Sequence, residues 1–309
     1  MKPEAKRILL IVDGSDQSFD VVRYAGKTFN PETTAIVLFH VMDQVPDAFW
    51  DWEKDPLVPQ HLEYMKAWET QKEQKVQTFM EQARQMLLDA DFPAESVTVS
   101  IQKRKEGVAR DILNELAAGY TALILGRKGQ STVEDQLMGS VASKILARRR
   151  SVPIGVVGGK PKPGKVLIGM DNSKGAQRAV ELMATLLQGT RQAVTLLHVV
   201  RTVQGSEPTF PSEQAEKLAE NAKAAILPAL ERAARTLTDA GIPPSKITTK
   251  VVTGASSRTA AILKEALSNG CGTIAVGRRG VSDVEEFEMG RVAGKLTQIG
   301  RTFAIWVVR

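Results

Sequence analysis

The stretch "LGRKGQSTVEDQLMGS" holds Gly126, Gly129 and Gly139, and Ser140 follows the last of them. Residues of these types at this spacing can hold a phosphate. Gly126 and Gly129 can take positive φ and let a ligand approach the backbone with no Cβ in the way. Gly139-Ser140 reads as the opening of a helix, whose N–H groups and partial positive charge favour an anion. Ser140 would add a hydroxyl donor or simply cap the helix. Arg127 and Lys128 would add positive charge beside the loop. The plain alternative is a strand-end turn followed by a helix start. A second stretch weighs against it: "VGRRGVSDVEEFEMGR" carries Gly277, Gly280 and Gly290 at the same spacing, with Arg291 where the first copy has serine.

The two stretches belong to a larger repeat. "RILLIVDGSDQSFDVVRYA" parallels "KVLIGMDNSKGAQRAVELM", so Asp13 corresponds to Asp171. "VLFHVMD" parallels "TLLHVVR", so His40-Val41 corresponds to His198-Val199. Gly107 corresponds to Gly254, and the order of matches never changes. A period this long means one domain duplicated and not a solenoid. The reading is a first domain over 1–158, a linker over 159–164 with the Gly and Pro of "GGKPKPG", and a second domain over 165–309.

Each half must then supply elements that position these residues. "ILLIV" and "TAIVLFHVM" are continuous apolar runs, as in strands buried on both faces. Between them Phe19, Val22, Ala25 and Phe29 recur at helical spacing. Val76, Phe79, Met80, Ala83, Met86 and Leu87 mark one face of a long helix from about Gln60 to about Asp91. "SVTVSIQ", "ALILG" and "VPIGVV" supply three more strands, separated by the helical stretches "VARDILNELAA" and "SVASKILARR". The second half repeats the pattern and ends on "FAIWVV". The predicted fold class is α/β, with two tandem doubly wound domains of five parallel strands each. Ligands of such sheets sit beyond the C-terminal strand ends, near the point where strand order reverses. That edge gathers Asp13, Val41 and Gly126 in one half, and Asp171, Val199 and Gly277 in the other.

Several other features are discounted. "GKPKPGKV" matches the start of a P-loop, but Val166 stands where Ser or Thr is needed, and Pro161 and Pro163 lack N–H donors. "DGSDQS" compares weakly with the S-G-G-x-D-S loop that cups pyrophosphate, because Asp13 would repel that anion. The formal net charge is +6, yet aromatics are only 5% and are not interleaved with the short basic runs, which argues against nucleic acid. With three histidines and one cysteine, Cys271, no zinc spacing exists. The lone cysteine and the absence of a signal-peptide pattern or a membrane-length apolar run lead to the expectation of a cytoplasmic protein. His40 and His198 read as structural, and Asp13 and Asp171 could be no more than acids near helix starts.

The pattern G-x2-G-x9-G-[S/T] after the fourth strand, with "VDGS" ending the first and "HV" the second, resembles the universal stress protein (UspA-like) superfamily over nearly the whole chain. The resemblance implies a Rossmann-like, adenine nucleotide alpha hydrolase-like fold and a stress-response role. Its nucleotide-binding branch uses this loop for ATP. It implies that Asp13 and the Val41 backbone meet the adenosine end, and that Gly126, Gly129, Gly139 and Ser140 hold the ribose and phosphates. Asp171, Val199, Gly277, Gly280 and Gly290 match in the second half, but Arg291 departs. Asp283, Glu285, Glu286 and Glu288 would also oppose a polyphosphate there. The expectation is ATP binding chiefly in the first domain; Glu134 and Asp135 read first as solvated loop carboxylates, which could also meet Mg2+ bound to ATP. Slow ATP hydrolysis or phosphotransfer at the same site, and a structural protein with vestigial pockets, are the rival readings. The resemblance also implies a pseudo-dimer of the two halves along the final strands, and it is compatible with a further homodimer. The aromatic insertion Asp43–Gln60, with Phe49, Trp50 and Trp52, could cover the adenosine pocket, meet a partner or pack on the chain's own second helix.

Overall fold

The computed structural model describes residues 6–43, 58–129, 138–148, 152–201, 212–280 and 289–309. The first half runs β1 (Lys6–Ile11), α1 (Asp16–Thr28), β2 (Thr34–Met42), α2 (Val58–Leu88), β3 (Val97–Lys103), α3 (Val108–Glu115), β4 (Ala122–Gly126), α4 (Ser140–Ala147) and β5 (Ile154–Val157). The second runs β6 (Lys165–Met170), α5 (Lys174–Leu187), β7 (Ala193–Arg201), α6 (Ser212–Asp239), β8 (Ile247–Ala255), α7 (Arg258–Ser268), β9 (Thr273–Gly277), α8 (Arg291–Ile299) and β10 (Ala304–Val308). The predicted helices and strands of each half are present.

Strand burial follows from the apolar runs. Ile8, Leu9 and Leu10 of β1 are all fully buried. Ile8 and Leu10 pack into the core under α1, α2, α5 and α6, whereas Leu9 packs into the core under α3, α4, α7 and α8. Period-two alternation sends neighbours to opposite faces, so a strand covered on both sides must be apolar throughout. On α2, Val76, Met80, Ala83 and Leu87 are buried at three- and four-residue spacing, which is the stripe the sequence shows. Ser15 and Ser173 cap α1 and α5, their hydroxyls accepting from the Ser18 and Ala176 N–H groups.

The strand order is β3-β2-β1-β4-β5-β10-β9-β6-β7-β8. Within each half every neighbouring pair is parallel. Each half contributes five strands, and the halves meet along their final strands, as expected. β5 and β10 pair antiparallel and fuse them into one ten-stranded sheet. Chain order reverses between β1 and β4 and again between β6 and β9, which leaves one crevice per half. The antiparallel seam sets the two crevices on opposite edges of the sheet.

The seam is asymmetric at its centre. Gly155 and Trp306 occupy the same place in the repeat ("VPIGVV" and "FAIWVV"), and they face each other across the seam. Trp306 is fully buried, and a Cβ on Gly155 would lie 3.0 Å from its ring. Its indole N–H donates to the Tyr24 hydroxyl at 3.0 Å, and that hydroxyl lies 3.0 Å from Thr273 Oγ1. Phe29 packs edge-on against the indole, with centroids 6.4 Å apart. The bulk of one strand fills the space left by the other. A β5–β5 pair would be hollow and a β10–β10 pair overfilled. Trp306→Ala should therefore cost about 3–5 kcal/mol in urea unfolding, as for other buried tryptophans. Gly155→Val should cost about 1–3 kcal/mol by overpacking. Unchanged midpoints for both would show that the seam does not depend on this pair.

Candidate functional site

In the first half the crevice lies between the ends of β1 and β4. Asp13 follows β1, and its Oδ1 accepts from the Ser15 N–H at 3.0 Å and from the Ser15 hydroxyl at 2.6 Å. Ser15 is also the α1 cap, so one short network fixes both the carboxylate and the helix start. Above it runs the loop after β4. A Cβ on Gly129 would sit 2.6 Å from Asp13 Oδ2. The second half repeats this contact: a Cβ on Gly280 would sit 2.8 Å from Asp171 Oδ2, and Ser173 donates its N–H to Asp171 Oδ1 at 3.0 Å. These glycines do not work by positive φ, as the sequence suggests. Gly126, Gly129, Gly139, Gly277, Gly280 and Gly290 all lie outside that region. Gly129 and Gly280 let the loop come close to the end of the first strand, whereas Gly126 and Gly277 let it come close to Gln17 of α1 and Gly175 of α5.

β2 outruns β1 by three residues, since the last β1 pair is Ile11 with Phe39. The Phe39 carbonyl accepts from the Val12 N–H at 3.0 Å. In a parallel ladder alternate residues turn their peptide groups to the same neighbour, so the backbone of Val41 faces the crevice beyond Asp13. The Val41 side chain itself is buried. Val199 holds the matching place in β7 and is also buried. His40 Nδ1 lies 2.7 Å from the Val12 carbonyl, and His198 Nδ1 lies 2.7 Å from the Met170 carbonyl. A carbonyl only accepts, so each Nδ1 carries the proton. Burial lowers the His40 pKa below the usual imidazole value, against the opposing pull of the Val12 carbonyl, Asp13 and Asp43. His40 is thus a neutral strut that fixes the peptide next to Asp13.

The loop then meets a helix. The Gly139 N–H donates to the Arg127 carbonyl at 2.8 Å, and Gly139 is the N-cap of α4. Ser140 is not the cap; it is the first helical residue and is exposed. The N-cap of α4 offers no side-chain hydrogen bond, and neither does Gly290 at α8. First-turn N–H groups without a side-chain cap can receive an anion. Gly290 donates to the Arg278 carbonyl at 2.8 Å, so both halves close the loop onto the helix in the same way.

Arg127 departs from expectation. Its backbone belongs to the loop, but its guanidinium does not face the crevice. The residue is 3% exposed, and its Nη2 donates to the Gln298 carbonyl in α8 of the other half. Burial, and then the charge of Arg301, lowers its pKa from the ordinary guanidinium value. Arg278, at the matching position, donates from Nη2 to the Leu146 carbonyl of α4 at 2.8 Å.

Two further residues shape the site without belonging to the glycine pattern. Gln17 of α1 accepts from the Lys128 N–H through Oε1 and braces the loop against α1. Its counterpart is Gly175, where a Cβ would lie 2.6 Å from the Arg279 carbonyl and 3.3 Å from the Gly277 Cα. The second loop therefore rests directly on its helix, whereas the first is held off by a glutamine. The repeat carries the signal for this pair, since the Asp13–Asp171 offset also maps Gln17 to Gly175. Glu134, Asp135, Asp283, Glu285, Glu286 and Glu288 lie outside the described residues, as do Phe49, Trp50 and Trp52. Among the described residues no group of three or more His, Cys, Asp or Glu side chains is placed to hold a metal. No described helix is long and apolar enough to cross a membrane.

Comparison with known proteins bears on the family and the fold. The model of the universal stress protein family matches twice, over residues 4–157 and 163–299. A universal stress protein of Mycolicibacterium smegmatis is 27% identical over 212 residues, 66% of this chain and 67% of that protein. Universal stress protein Rv1996 of Mycobacterium tuberculosis is 25% identical over 57% of this chain, and the match spans only 56% of that relative's length. Among solved structures, a universal stress protein from Archaeoglobus fulgidus aligns over 98% of both chains, with a TM-score of 0.60 and 19% identity. Two matches of the family model, covering nearly all of both halves, show that the chain belongs to the universal stress protein family.

Proposed function

We propose that the chain is a cytoplasmic stress-response module that binds an adenine nucleotide, ATP above all, chiefly in its first half. One observation carries this reading. A loop pressed onto the first-strand carboxylate, through Gly129 over Asp13, leads into a helix start without a side-chain cap, at the point where strand order reverses. Such a start suits phosphate oxygens. In this reading Asp13 and the Val41 backbone meet the adenosine end, and Gly126, Gly129, Gly139 and Ser140 hold the ribose and phosphates. Arg127 drops out as a ligand because its side chain is used elsewhere. Nucleotide binding changes the state that partners read.

Nucleotide released on denaturing the purified protein, identified by chromatography, tests the reading directly, together with calorimetry of added ATP with and without Mg2+. Gly129→Ala puts a methyl 2.6 Å from Asp13 Oδ2, so the loop or the carboxylate must shift, and ATP should weaken about ten-fold, or roughly 1.4 kcal/mol. No released nucleotide and no heat of binding in the wild type would remove the proposal.

The second crevice is proposed to bind more weakly or not at all. Arg291 replaces the hydroxyl, and the loop rests directly on α5. Calorimetry should give about one strong ATP per chain. Arg291→Ser should raise affinity at the second crevice, read in the same titration as a second ATP per chain. Two equal strong sites in the wild type would contradict the asymmetry.

A further inference from the structure

Four hydrogen bonds close a circuit through both crevices. From the first loop, the Arg127 guanidinium reaches Gln298 in the last turn of α8. The other end of α8 is Gly290, whose N–H donates to Arg278 in the second loop. The Arg278 guanidinium then reaches Leu146 in the last turn of α4, at 2.8 Å. The other end of α4 is Gly139, whose N–H returns to the Arg127 carbonyl. The backbones of both arginines are also pinned to the seam strands, because the Arg127 N–H donates to Val157 and the Arg278 N–H to Val308.

The topology makes this meeting unavoidable. α8 runs into β10, whose first residue, Ala304, pairs with Val157, the last residue of β5. The seam thus brings the C-terminal end of α8 to the sheet edge where the first loop begins, and likewise α4 to the second. Carbonyls of a last helical turn lack intrahelical partners and carry the negative end of the helix dipole. A buried guanidinium there satisfies a carbonyl and offsets that negative end. What remains at the far end, about 12 Å away along an eight-residue helix, is a more positive N-terminus.

Resting on the nucleotide reading of the first crevice, we infer that each domain's phosphate-facing helix is completed by an arginine of the other domain. Arg278 is then a positioning residue for the first site, although it lies in the second half, and Arg127 is one for the second. Neither touches the ligand. The first site is incomplete without the second domain, and the two crevices are linked.

Hydrogen exchange on the full-length protein without nucleotide tests the clasp apart from any binding. In Arg278→Met, the hydrogen-bonded amides of α4, residues 143–147, should exchange about five-fold faster, the size expected for a lost charged contact at a helix end. Arg278→Lys keeps the charge and should recover part of the protection, and it serves as the reading if the methionine variant does not fold. In the same proteins ATP at the first site should weaken about five-fold for methionine and less for lysine. Exchange changes confined to the second half, with residues 143–147 unaltered in both variants, would overturn the inference. Failure of the wild type to bind ATP, with the exchange effect present, would instead remove the nucleotide reading and leave the clasp standing.

Discussion

The antiparallel pairing of β5 with β10 is the contact on which the rest of the molecule depends. Without it each half would end in an open strand edge, with unpaired backbone groups and exposed apolar side chains. With it, ten strands share one sheet, and the two cores run across the join, since Ile8 and Ile168 belong to the same buried cluster. The seam also chooses its partner. Trp306 fills the place opposite Gly155, so the strand that completes β5 is β10 and not a second β5. Duplication within one chain allowed this complementarity, because two copies encoded together can drift into unlike halves of one fit. Identical subunits meeting on a two-fold axis place the same residue on both sides.

The elements themselves are legible in the residue pattern. Strands buried on both faces must be apolar without interruption, and "ILLIV", "ALILG" and "TIAV" stand out for that reason. The repeat then sets Asp13 and Asp171, and Gly126 and Gly277, in matching slots. What the pattern hides depends on contacts far apart in the chain. Arg127 looks like a phosphate ligand because it sits between glycines, but its direction is set by a helix end 171 residues away, delivered by the seam. Gly129 looks like a positive-φ turn, yet its value lies in how close the loop comes to Asp13, which only the β1–β4 crossover determines. Gln17 and Gly175 stand as a mismatch in the repeat, but without the loop above them the mismatch has no meaning.

The two crevices share a frame and differ in detail, and the differences have a direction. In the first, a glutamine spaces the loop from α1 and a small hydroxyl residue opens α4. In the second, two glycines bring the loop down onto α5, and Arg291 opens α8. A cation in the first turn of a helix opposes the dipole and costs about 0.3–1 kcal/mol unless an anion accompanies it. Arg278 at the far end of α4, and Arg127 at the far end of α8, act in the opposite sense by supporting a positive N-terminus. In the first half this support meets a site free of that cost. In the second it adds to a charge the helix already disfavours, so α8 has more to gain from a nearby anion but a narrower crevice to receive one. The same clasp therefore serves unlike ends, which is why divergence at Arg291 need not have loosened the shared frame.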